Sequence, residues 1–262
     1  MGKIIFIVII NHIKMFLYHS IIKMNGLLMF IGGSFRQENQ NVEENVEEAT
    51  YQGQIAACNS HIGFIEYIKE KFQMNSVSVY IGTYTTKYDE ELLKIYEKYI
   101  VKHKIHPYKI GYSNIFNESM KDIEDKETYD FIFHIRIDLF LRTPFYEIVN
   151  VNWPTIHFIS ICWCKSNNVD GHPRINDMML FIPKKYYGYI QNIYMGHDVW
   201  KDLIINTDLT YDDMDTMVNT YHDSDSAKDY NPYYYIVNRH VETHWYSDNE
   251  WFDKKVGYSY KG

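Results

Sequence analysis

Two charged residues, Arg136 and Asp138, close the stretch Tyr129-Asp-Phe-Ile-Phe-His-Ile-Arg-Ile-Asp138. Four of the five residues at 131–135 are apolar, the pattern of a strand covered on both faces. In an open α/β sheet, ligands bind outside the carboxyl ends of the strands. Arg136 and Asp138 fall at such an end, two positions apart and so on one side of the chain. A guanidinium clamps phosphate oxygens, and a carboxylate holds a divalent cation that phosphates also ligate. The pair suits a metal-bound phosphate ligand. The plainer alternative is an ion pair that closes a sheet edge and does no chemistry.

A second group lies upstream. The apolar run at 26–31 stops abruptly at Gly32-Gly33-Ser34-Phe35-Arg36. Glycines directly after a strand let the backbone approach a ligand closely, although GxGxxG, the dinucleotide fingerprint, is absent. Thr83 and Tyr84 follow the next strand in the same way. Asp177 follows the turn-rich loop 167–174 and precedes an apolar strand. Its plain reading is an Asn-Asp turn that starts that strand. His240 and His244 lie four apart, one turn of a helix if that segment is helical. They could close a site or reach a metal, or be ordinary surface or core residues. There is no HExxH. Asp223-Ser-Asp225 resembles the start of a calcium loop, but the required Gly and Glu are missing, which excludes that motif.

These residues need elements to position them. Ile55, Cys58, Ile62, Ile65, Ile68 and Phe72 recur at spacings of three and four, predicting an amphipathic helix over 52–72. Residues 37–50 read as a mobile loop or an exposed helix start. A strand is expected at 77–81, a helix over 89–101 capped by Asp89, a short strand near Lys109, and a helix around 118–124. Strand and helix alternate from 26 to 141, so the fold class is α/β: a largely parallel sheet with helices on both faces. Further strands are expected at 156–163 and 178–182, and helices over 183–193 and 198–205. The absence of repeats and long linkers favours one domain over 24–262, with a C-terminal subdomain.

Composition narrows the partners. At 262 residues the chain can bury a sizeable core. A formal net charge of −8 disfavours nucleic acid as a partner, since broad nucleic-acid binding needs a basic surface. The wealth of Ile, Asn, Lys and Tyr, with only four alanines, fits an AT-rich genome. Three cysteines, two of them a C-x-C at Cys162 and Cys164, make neither a disulfide framework nor a CxxC zinc site. They read as buried thiols in a reducing compartment, so the cytoplasm is the expected location, with a viral host's cytoplasm or a membrane surface as alternatives. Residues 1–23 form a separate extension. Its apolar runs at 4–10 and 15–22 are interrupted by Asn11, His12 and Lys14 before about 20 residues accumulate. The extension is expected to be a poorly integrated segment, with a membrane anchor through 4–22, an element packed on the domain, and a non-native start before Met24 all open.

The ordered set Gly33-Ser34-Phe35-Arg36, Thr83-Tyr84, Arg136-Ile137-Asp138 and Arg174-Ile175-Asn176-Asp177 resembles nucleotide-sugar glycosyltransferases of the GT-A fold. The resemblance covers roughly 24–205. It is closest to the small viral and bacterial type with G-x-x-R in the first turn and R-x-D in place of D-x-D. The resemblance implies a hexosyl- or pentosyltransferase using a UDP- or GDP-sugar donor and a glycan or glycoprotein acceptor. Gly32, Gly33, Arg36 and Arg136 would then face the donor and its diphosphate, and Thr83 and Tyr84 the base or ribose. Asp138 would hold Mn²⁺ or Mg²⁺, with His240 as a further ligand. Asp177 and Arg136 would serve catalysis. The departure is Arg136, which stands where the family's pattern has a carboxylate. Two rivals remain: a nucleotidyltransferase, which predicts a lysine in the first turn where 32–38 has none, and a non-catalytic nucleotide-sugar-binding domain.

Overall fold

The computed structural model describes residues 23–35, 46–108, 110–159, 178–190, 199–216 and 233–237, with the side chains of 46–50, 199–201, 216 and 236 not described. Its centre is a seven-stranded sheet in the order β3-β2-β1-β4-β7-β6-β8. The strands are β1 (Asn25–Ile31), β2 (Ser76–Tyr84), β3 (Ile100–His106), β4 (Phe131–Arg136), β6 (Ile156–Phe158), β7 (Met179–Pro183) and β8 (Met214–Thr216). β1 pairs in parallel with both β2 and β4, and β2 with β3. β7 runs antiparallel to β4 and β6, and β8 parallel to β6. The expected largely parallel α/β sheet is present. Two further strands, β5 (Leu139–Leu141) and β9 (Tyr234–Ile236), form an antiparallel pair directly after β4.

Strand alternation splits the core into two layers. Leu28 and Phe30 of β1 and Phe131, Phe133 and Ile135 of β4 face helix α1 (Val46–Lys71) through Cys58, Phe64, Ile65 and Ile68. Leu27, Met29 and Ile31, with Ile132 and Leu180, face α3 (Tyr112–Asp122) through Ile115, Phe116 and Met120. Helices cover both faces, which is why β1 and β4 read as continuous apolar runs. Helix α2 (Asp89–Ile95) and the short α4 (Thr143–Ile148) lie on the α1 side. α5 (Tyr187–Ile190) and α6 (Val199–Asn206) lie on the α3 side.

Several boundaries differ from expectation. The helix expected over 89–101 stops at Ile95, and the chain turns into edge strand β3 at Ile100–His106, ahead of Lys109, which lies outside the described residues. Pairing with β2 decides this, because Ile100, Val101 and Ile105 are β-branched and suit a strand once a neighbour is supplied. Asp89 lies one place inside α2 and accepts from Thr86 N–H at 2.8 Å. Helix α1 begins at Val46, inside the stretch read as loop or helix start, and α3 spans Tyr112–Asp122 rather than 118–124. The three-residue strands β5, β8 and β9 and helix α4 were not expected. Among the described residues, no helix is long and apolar enough to cross a membrane.

Candidate functional site

The chain runs outward from β1 to β2 and β3, then returns to the other side of β1 at β4. The carboxyl ends of β1 and β4 therefore flank a topological switch point, where α/β sheets open a crevice. Gly32 takes φ +129°, in the left-handed region, and its N–H donates to Gly82 O at 3.0 Å. An added Cβ would meet its nearest neighbour, Arg136 Cγ, at an ordinary 3.6 Å. The backbone conformation, not lack of room, demands glycine here. Ser34 fixes the turn: its N–H donates to Thr83 Oγ1 at 3.2 Å, and the two hydroxyls lie 2.9 Å apart. Thr83 is wholly buried, so its hydroxyl braces the turn. Phe35 sits at φ +44°, unusual for a side chain of its size. Ring contacts to Tyr51 and Tyr88 and a 3.2 Å bond from its N–H to Gln54 Oε1 hold it there.

At the end of β4, Arg136 and Asp138 meet as the two-residue spacing predicts. Arg136 Nη2 donates to Asp138 Oδ2 at 2.6 Å, with side-chain exposures of 9% and 1%. So little water reaches this pair that it behaves as a buried ion pair. The backbone is held as closely. Arg136 N–H donates to Met178 O at 2.8 Å, Ile137 N–H to Ile31 O at 2.9 Å, and Val237 N–H to Asp138 O at 2.8 Å. Behind Arg136 on the same strand face is His134. Its Nε2 lies 2.6 Å from the Tyr112 hydroxyl, and its ring meets Phe116 edge-on. Burial, and then the Arg136 charge, push the His134 imidazole down to about 3, so it is neutral near pH 7.

No group of three or more His, Cys, Asp or Glu side chains that could hold a metal occurs among the described residues. The donor set on view is Asp138 alone, already paired with Arg136. One carboxylate fits a Mg²⁺- or Mn²⁺-type ion only if phosphate oxygens and water supply the remaining ligands.

Gly32, Gly33, Thr83, Tyr84, Arg136 and Asp138 gather at this one end of the sheet. Arg36, Asp177 and His240 lie outside the described residues, as do Arg174, His244 and the two cysteines at 162 and 164. Asp177 directly precedes Met178, the residue whose carbonyl accepts from Arg136. Five residues that build the site's walls carry no assigned role in the sequence, although Ser34 and His134 stand inside its motifs: Ser34, Gln54, His61, Tyr112 and His134. Gln54 and His61 carried a usable signal. With Cys58, Ile65 and Ile68 they repeat at spacings of four and three along the buried face of α1, all nearly inaccessible. A stripe counted from apolar residues alone is rotated toward Ile55 and Ile62, which are only partly buried.

No protein-family model matches the sequence, and no curated protein matches it. Solved structures with a related course of chain include a protein described as a nucleotide-diphospho-sugar transferase from Desulfovibrio desulfuricans G20. It has 11% identity, a TM-score of 0.41, and coverage of 71% of this chain and 75% of that one. The catalytic domain of Drosophila β1,4-galactosyltransferase 7, in complex with xylobiose, gives 11% and 0.41 over 76% of this chain and 66% of its own, just under two thirds of its length. 4-Diphosphocytidyl-2C-methyl-D-erythritol synthase from Anaerococcus prevotii DSM 20548 gives 13% and 0.41 over 76% and 90%. At these scores the overlap is partial, and a functional reading has to stand on the residues of this chain.

Proposed function

We propose that this chain is a glycosyltransferase of GT-A type, moving a hexose or pentose from a UDP- or GDP-sugar to a hydroxyl of a glycan or glycoprotein. One observation carries the reading: the glycine turn after β1, Thr83 at the end of β2 and the Arg136–Asp138 pair after β4 converge at the switch-point end of a parallel sheet. In this reading Gly32 and Gly33 let the donor approach the backbone, and Arg36 and Arg136 face its diphosphate. Tyr84 borders the base or ribose, beside the buried Thr83. Asp138 is the carboxylate toward a Mn²⁺ or Mg²⁺ ion, with His240 as a second ligand. When bound, that ion would neutralise charge on the departing diphosphate.

The rest of the chemistry belongs to the chain. The acceptor oxygen forms a bond to the anomeric carbon as the carbon–oxygen bond to the diphosphate breaks. Asp177 takes the acceptor's proton, and Arg136 stabilises negative charge on the leaving group from a site poor in water. We place the protein in the cytoplasm, in keeping with its thiols, and residues 1–23 outside the catalytic domain.

A thermal-shift panel of UDP, GDP, CMP and dTDP sugars, with and without Mn²⁺, tests the reading. Stabilisation by one UDP- or GDP-sugar, lost in Asp138→Asn when Mn²⁺ is present, is the expected result. No response to any sugar nucleotide would remove it. Donor binding without hydrolysis or transfer would leave a non-catalytic binding domain. For the base, Asp177→Asn should slow transfer by about 10²–10⁴-fold while calorimetry finds donor affinity unchanged. Near-full transfer by that variant would return Asp177 to the role of a turn residue.

A further inference from the structure

Three consecutive carbonyls around Asp138 are taken alternately by two elements. Asp138 O accepts from Val237 N–H beside β9. The carbonyls on either side are taken by α1: Ile137 O accepts from Gln54 Nε2 at 2.8 Å, and Leu139 O lies 2.6 Å from His61 Nε2. Gln54 and His61 are seven residues apart, two turns of helix, and so share one face. Both are wholly buried.

The hydrogen-bond directions follow from chemistry. Gln54 accepts Phe35 N–H at its Oε1, so its amide nitrogen is the end that reaches Ile137 O. The same nitrogen donates to Cys58 Sγ at 3.6 Å. A carbonyl only accepts, so His61 carries its proton on Nε2, toward Leu139 O. Its bare Nδ1 then accepts from the Tyr96 hydroxyl at 2.6 Å. Each side chain is thus fixed at both ends, Gln54 between Phe35 N–H and Ile137 O, and His61 between the Tyr96 hydroxyl and Leu139 O. The two bonds to the strand grip the carbonyls on either side of Asp138. Each link is buried, where such bonds reinforce one another and a broken one leaves a costly orphan.

We propose that Gln54 and His61 are positioning residues of the cleft. Through these two bonds they hold the peptide on both sides of Asp138, and with it the Arg136–Asp138 pair, in the geometry that receives the donor diphosphate. Gln54 also ties that peptide to the β1 turn through Phe35, so the two walls of the donor site move as one body. The proposal rests on the donor-site reading above.

The test uses the full chain and the variants Gln54→Met and His61→Phe, which keep side-chain bulk and remove the hydrogen bonds. Tyr146→Phe is the control. It removes a bond of the same kind, from Tyr146 to Ser60 O at 2.7 Å, elsewhere on α1. Without any ligand, hydrogen exchange of the amides at 136–139 should quicken about tenfold or more in the two variants and stay at the wild-type rate in the control. KM for the nucleotide sugar should rise about tenfold with the acceptor KM within about twofold, because donor placement has changed, and kcat should fall as well, because Arg136 also faces the leaving group. A purely structural role would lower the active fraction and leave donor KM alone. If Gln54→Met fails to fold, Gln54→Leu serves in its place, and His61→Leu serves for His61→Phe. Unchanged exchange at 136–139, or faster exchange with unchanged donor KM, overturns the proposal. A wild-type chain that binds no nucleotide sugar sinks the donor reading and the donor half of this one. A wild type that binds donor normally beside variants with unchanged exchange sinks the clamp alone.

Discussion

Arg136 and Asp138 face each other at 2.6 Å where side-chain exposure is below one tenth. A charge so placed is tolerated because its partner is there, and removing one member leaves the other poorly solvated. Arg136→Met should therefore cost about 3–5 kcal/mol of stability, read as a fall in the urea midpoint. Arg136→Met combined with Asp138→Leu should cost less than the sum of the two single changes, a double-mutant coupling that separates the pair from its surroundings. Additive losses would show that the two side chains are held by other neighbours rather than by each other. The pair also explains how one strand end serves both the plain and the chemical reading: the ion pair forms as it would at any closed edge, and it places a cation and a carboxylate where the strands open.

The elements around the site are packed with little tolerance. Helix α3 lies so close over β2 that a Cβ on Gly82 would stand 2.6 Å from Ser119 Oγ, 2.9 Å from Ile31 Cδ1 and 3.0 Å from Ile115 Cγ2. The Ser119 hydroxyl can swing aside, but the two isoleucines are buried. Gly82→Ala should cost about 1–3 kcal/mol through overpacking. Because Gly82 O also receives the Gly32 N–H, the same change should weaken the proposed nucleotide-sugar binding. Gly188, with nothing within 4 Å of an added Cβ, is the matched control. Gly188→Ala should leave both the thermal midpoint and binding nearly unchanged. Equal effects at the two positions would mean that helix packing does not govern the turn.

At the scale of the whole molecule, two buried imidazoles couple stability to pH. Burial is the main cause at His61 and His134, and each folded-state value is pushed down to about 3 from an ordinary 6.5. His61 is enclosed by Phe30, Tyr96 and the Leu139 carbonyl, and the Asp138 charge partly offsets its burial. His134 is enclosed by Tyr112, Phe116 and Arg136, and the Arg136 charge adds to the shift. Both groups are depressed on folding, so between about pH 6.5 and 3 the unfolded chain binds more protons than the folded one. Their contribution is complete above pH 6.5 and is lost as pH falls toward 3. The urea midpoint should drop between pH 7 and pH 5, and the drop should shrink in His134→Asn even though that variant starts from lower stability. A midpoint that does not move over this range would show that water reaches both rings.

The sequence alone determined the α/β class, the long helix and the strands at 26–31, 77–81 and 178–182. Apolar runs and periodicity report burial on one or both faces, and these segments keep their own pattern whatever they meet. It also determined that Arg136 and Asp138 share a side, because a strand alternates with period two. Only the tertiary structure decided β5, β8 and β9. Three residues carry too little pattern to be read, and such strands exist through their partners, as Leu139 pairs with Ile236. The same holds for β3, whose residues prolong a helical pattern until β2 offers an edge. It holds most clearly for Gln54 and His61. A polar side chain on a buried face is tolerated only if it finds a partner, and theirs are carbonyls 83 and 78 residues further along the chain. No local pattern records that meeting, since it comes about when α1 settles against the end of β4.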